Sequence, residues 1–110
     1  MMYVDFTAGN KDYKLRLNTR QTIALEKQLG CNPLAIFGNG DTIPTITTMI
    51  HILHASLAQY NHGIDFNGAA DIFDEWLADD HNATEFIPII LELYKVSGLI
   101  KKDRVDTEKN

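Results

Sequence analysis

A chain of 110 residues, 45% hydrophobic and 23% charged, is sized and composed as one soluble domain with its own core. Its single cysteine excludes an internal disulfide and a thiolate metal cluster, and no apolar run approaches the ~20 residues that span a bilayer. The net charge of −5 is unevenly laid down: residues 28–94 hold nine Asp or Glu and no Lys or Arg, between two weakly basic ends.

An acidic middle of this kind disfavours nucleic acid as a partner and admits basic proteins or further copies of the same chain. The opening "MMYVDFTAGNKDYK" has no apolar segment of the signal-peptide type, so a cytosolic location is expected. In chain order, "MYVDF" and "YKLRL" each alternate in character around the turn-rich "TAGNKD". They predict a β-hairpin with a loop longer than the two-residue type, with Tyr13, Leu15 and Leu17 on one face and Lys14 and Arg16 on the other.

Asn18, with Gln21 three residues later, announces the first helix. Ile23, Ala24, Leu25 and Leu29 supply its apolar side, and Gly30 is its left-handed stop. In "CNPLAIFG" Asn32 caps and Pro33 opens a short second helix that Gly38 ends. After the loop "GNGDTIP", Thr45 starts a long third helix, "ITTMIHILHASLAQYN". Its Ile46, Met49, Ile50, Leu53, Leu57 and Tyr60 share one face, an arc of about 100°.

A fourth helix, Gly68 to Ala78, sets Ala69, Ile72, Phe73, Trp76 and Leu77 against an acidic side of Asp71, Asp74 and Glu75. The last, within "DDHNATEFIPIILELYKVSG", has the widest apolar arc and is expected to be the most buried. Pro88 must fall in its first turn, which favours Thr84 or Glu85 over Asn82 as its cap. The fold class is therefore α+β, mostly α: an N-terminal β-hairpin and about five helices in one compact domain over residues 1–100. The charged "KKDRVDTEKN" of 101–110 has little to bury and is expected to be a mobile tail.

The chemistry-bearing residues are sparse. Cys31 precedes a helix start, but no histidine lies near it in sequence, and it reads as a small residue in a tight turn. His51 and His54 stand at metal-sharing spacing but lack the glutamate and spacing of a zinc-hydrolase motif. A third ligand would have to come from His62, His81 or Asp65. The pair reads as partly buried, with His54 bordering the apolar face and His51 pointing further away.

"DFNGAADIFDEW" lacks the twelfth-position carboxylate of a calcium loop, where Trp76 stands. Asp71, Asp74, Glu75, Asp79 and Asp80 form either a solvated face or a docking surface for a basic partner. Asp79 and Asp80 oppose the dipole at their helix end, which the start of the following helix could offset. No catalytic constellation emerges, so neither cofactor nor small-molecule substrate is expected. Residue chemistry alone gives a helical interaction module.

The ordered segments "YKLRLNTRQTIALEKQLGCNPLAIF", "IPTITTMIHILHASLAQYNHGI" and "DIFDEWLADDHNATEFIPIILELYKVSGL" resemble the tail assembly chaperones of long-tailed phages and prophages of Gram-positive bacteria. The resemblance covers most of residues 13–99. It implies a non-enzymatic assembly factor in the host cytoplasm, absent from the mature virion. Such a factor coats the tape measure protein, keeps it soluble and helps deliver tail tube subunits.

Many such chaperones are made in two forms through a ribosomal frameshift, for which Lys101-Lys102 would mark the slippery codons. A homo-oligomer is expected, with Lys14 and Arg16 of the hairpin and Arg20 meeting the acidic fourth helix of a neighbour. Two other readings remain: a regulatory or antitoxin-like interaction domain, and a metal-dependent hydrolase built on His51 and His54.

Overall fold

The structure, a computed structural model, describes residues 2–37 and 43–101. The expected stop at Gly38, most of the loop before Thr45, and the tail beyond Lys101 lie outside the described residues. The hairpin pairs β1 (Val4–Ala8) antiparallel to β2 (Lys11–Leu15), with Phe6 opposite Tyr13 and Ala8 opposite Lys11. Its turn is the two-residue Gly9-Asn10, not the longer loop expected. Both residues adopt positive φ, 58° and 65°, which matches the twist of the flanking strands. An added Cβ at position 9 would lie 2.7 Å from Glu75 Oε1, so the flexible end of that side chain would have to shift.

The strand alternation holds. Phe6, Ala8, Tyr13 and Leu15 are buried on the inner face, while Asp5, Thr7, Asp12 and Lys14 are exposed.

Helix α1 (Thr19–Leu29) starts where Asn18 Oδ1 accepts from the Gln21 amide at 2.9 Å. It ends at Gly30 with φ 71°, whose N–H donates to Glu26 O. A Cβ at Gly30 would meet nothing within 4 Å, so the cost of any side chain there is left-handed backbone strain alone. Gly30→Val should therefore destabilise by about 1–2 kcal/mol with α1 intact, read as a lower urea midpoint at unchanged helicity.

The expected second helix is a 3-10 turn, Pro33–Phe37, so the α-helices number four among the described residues. Helix α2 (Ile46–Leu57) is capped by Thr45 and stops one turn short of the expected Asn61, leaving Tyr60 and Ile46 exposed at its two ends. Helix α3 (Phe66–Ala78) begins two residues early because the Asp65 side chain caps it, accepting from Gly68 N at 2.8 Å. Asp65 is thereby a cap, not a ligand.

Before α4 (Phe86–Val96) comes a 3-10 turn, Ala83–Glu85, and it is Asn82 that caps it, accepting from Thr84 N. Glu85 is the N-cap position of α4, as expected in preference to Asn82, although its side chain makes no capping bond. Pro88 is the third residue of α4, in the first turn as required.

The most buried helix is α2, not the last one. Seven of its twelve residues are buried, from Met49 and Ile50 to Ala55, Ser56 and Leu57. The reason is its position: α2 packs on α1, on α3 and on β2, whereas α4 leaves Leu91 and Glu92 on the surface. A ring cluster of Phe6, Phe73, Trp76 and Phe86, with centroids 5.4–6.0 Å apart, joins the hairpin to α3 and α4.

Candidate functional site

The charges singled out in the sequence divide into those the fold consumes and those it leaves outside. Arg16 is consumed. Its Nη1 donates to Met2 O and to Val96 O, both at 2.8 Å, tying β2's end to the chain start and to the last carbonyls of α4. A cation at that end is also favoured by the helix dipole. Beside it, Ser97 Oγ accepts from Leu17 N, and Arg16 N donates to Ser56 O. Arg16 is thus a clamp inside the domain, which corrects its expected role as a docking cation.

Lys14 is exposed but lies over the Tyr3 ring at 5.2 Å, with Tyr3 edge-on to Tyr60. Arg20 is exposed on α1.

The acidic group splits in the same way. Asp79 Oδ2 accepts from Gly9 N at 3.0 Å, so α3's end holds the hairpin turn of its own chain. This bond, not the start of α4, is what the structure provides for Asp79. Glu75 lies against the same turn. Burial first and the Glu75 charge second push the Tyr13 phenol up from its ordinary value. Asp80 takes a left-handed φ of 72° that turns the chain out of α3. Asp71 and Asp74 are exposed, on the side of α3 away from its buried Ala69, Ile72, Phe73 and Trp76.

The other candidates resolve into structure. Cys31 is an exposed free thiol near Tyr94. Burial chiefly, and the cysteine second, raise the Tyr94 phenol far above its ordinary value. Tyr94 donates its hydroxyl hydrogen to Pro33 O at 2.9 Å, which anchors the 3-10 turn to α4. The two histidines of α2 both face Phe66, His51 the nearer at 4.6 Å and His54 at 6.4 Å. Both are half-buried, as expected of the pair, and His51 Nδ1 is buried without a hydrogen-bond partner among the described residues.

Among the described residues no three His, Cys, Asp or Glu side chains come together as a metal site, and no helix is long and apolar enough to cross a membrane. His81 stacks on Trp76 at 4.6 Å and 9°, with its Nδ1 2.8 Å from Glu85 Oε1. Protonated, it forms an ion pair with Glu85.

Two surface features escaped the sequence reading. Leu34, Ile43 and Ile46 are exposed around the corner between α1 and α2, with Ile36 and Phe37 half-buried beside them. Along α1, Arg20, Ile23, Ala24 and Lys27 are all exposed, and Leu25 is the helix's one fully buried residue. The spacing i, i+3, i+4, i+7 carries that second signal, whereas Ile23 and Ala24 are expected on the helix's apolar side.

No curated protein matches the chain, nor does any solved structure. A protein-family model matches residues 4–110. The chain belongs to that family, DUF6096, a family of unknown function.

Proposed function

We propose that the protein is a phage tail assembly chaperone that binds the tape measure protein in the bacterial cytoplasm, keeps it soluble and assists assembly of the tail tube. The reading rests on the ordered resemblance of residues 13–99. On the molecule it is supported by exposed apolar side chains: Leu34 on the 3-10 turn is 39% exposed, and Ile43 and Ile46 about the start of α2 are 56% and 49% exposed. A chaperone for a long amphipathic chain needs apolar side chains that water reaches in the free protein and that a client covers.

The corner is held by defined contacts. Asn32 Oδ1 accepts from Leu34 N, Tyr94 reaches Pro33 O, and Thr45 Oγ1 accepts from Thr48 N. The double variant Leu34→Asp with Ile46→Asp should retain the circular dichroism of the wild type. In a pull-down it should hold a tape measure segment at least tenfold more weakly, about 1.4 kcal/mol or more of binding energy. Undiminished binding would remove the corner as the client site.

A further inference from the structure

The break between α3 and α4 holds an arrangement that the chaperone reading does not use. Asp80 takes its left-handed φ, the His81 amide donates back to Leu77 O at 3.4 Å, and the imidazole lies over the end of α3. Its ring rests flat on Trp76, 4.6 Å between centroids and 9° from parallel. Its Nδ1 stands 2.8 Å from Glu85 Oε1, while Glu85 Oε2 accepts from Asn82 Nδ2 at 3.2 Å. One imidazole therefore touches the last turn of α3 and the N-cap residue of α4. Phe86, the next residue, and Trp76 both belong to the ring cluster that joins the helices to the hairpin.

The charged groups at this break are acids. Asp79 and Asp80 precede His81, Glu85 meets it from the α4 side, and Glu75 lies one turn back along α3 against the hairpin turn. Asp79 is engaged by Gly9 N, and Lys11 of the hairpin lies over the Tyr13 ring. Residues 28–94 contain no Lys or Arg. A proton added to the His81 ring thus meets a carboxylate already at hydrogen-bond distance and the negative face of an indole.

We propose that His81 is a proton-operated latch across the α3–α4 corner: the charged ring clasps Trp76 of α3 to Glu85 at the start of α4, and the neutral ring gives up the charge-assisted part of that clasp. The added stability is present on the acid side of the pH 5–8 range in which histidines titrate, and it is lost as pH rises through that range. The His81 and Glu85 side chains are 38% and 46% exposed, so screening by solvent holds the effect to the size of a surface pair.

Two measurements on the purified full chain, without any client, test this apart from the chaperone reading. Trp76 is the chain's only tryptophan, and a protonated imidazole in contact with an indole quenches its emission. In native buffer the emission should fall from pH 8 to pH 5.5 in the wild type and stay level in His81→Gln. Urea unfolding then reads the latch itself. The lead of the wild type over His81→Gln should widen by about 0.1–0.5 M in midpoint from pH 8 to pH 5.5, a window above the range in which carboxylates ordinarily titrate. In a Glu85→Gln background that widening should vanish. Titration of His51, His54 and His62 cancels in each comparison, because the proteins compared share those residues. Emission that does not fall, an equal fall in His81→Gln, a midpoint lead that is the same at both pH values, or a widening that survives Glu85→Gln would each overturn the proposal.

Discussion

Phe86→Ala should cost about 3–5 kcal/mol, a large part of the 5–15 kcal/mol that holds a domain of this size. Phe86 is fully buried as the first residue of α4 and touches Phe6 of β1, and Phe73 and Trp76 of α3. Truncation removes one of the two rings, with Trp76, that meet all three others, and the hairpin keeps only Trp76 as its aromatic anchor on the helices. Trp76 is the chain's only tryptophan and lies 5.7 Å from Phe86, so its fluorescence follows the transition directly. The urea midpoint should fall steeply. A loss below 1 kcal/mol would mean that the ring cluster does not carry the packing between hairpin and helices.

Arg16→Met should lose about 2 kcal/mol. The change keeps most of the apolar stem while removing the charged donor to Met2 O and Val96 O, and leaves the part-buried Val96 carbonyl unmatched. Arg16→Lys should recover only part of the loss, because a single ammonium on a shorter stem does not reproduce the reach of the guanidinium. Urea unfolding of the three proteins measures this. Hydrogen exchange should show the damage first at the start of β1 and at the α4 C-terminus, the segments that Arg16 ties together. Equal stability of Arg16→Met and wild type would return Arg16 to the surface as a free cation.

Arg16 also shows where the sequence stopped being informative. Alternation placed it correctly on the face away from Tyr13, Leu15 and Leu17, but alternation does not report what approaches that face. Met2 and Val96 are distant in sequence and their carbonyls carry no side-chain signal. The same limit separates the two ends of the acidic helix. Asp71 and Asp74 are exposed on the surface while Asp79 binds Gly9, seventy residues away, and only the tertiary placement of the hairpin turn distinguishes them.

Local rules did better where the chemistry was local. Asn18, Gly30, Thr45 and Pro88 act as read, because caps, left-handed stops and first-turn prolines depend on neighbours within one helical turn. Burial was misjudged where neighbours mattered. α4 has the wider apolar arc, yet α2 is more buried because three elements surround it. Ile23 is hydrophobic, yet it lies outward on a helix whose opposite side holds Leu25.

"NPLAIF" predicts a short helix and "GNGDTIP" a loop, and neither anticipates the exposure of Leu34 and Ile43. A five-residue 3-10 turn buries Pro33 and leaves Leu34 outside, a result that helical periodicity does not anticipate.

The central claim is that this protein keeps a tape measure protein soluble, and co-expression tests it most directly. A tape measure protein of a long-tailed phage is produced alone and together with this chain, and its distribution between supernatant and pellet is measured. The account predicts that the client moves into the soluble fraction with this protein and stays in the pellet with its Leu34→Asp, Ile46→Asp variant. A client equally insoluble in the presence and absence of the wild-type protein would contradict it.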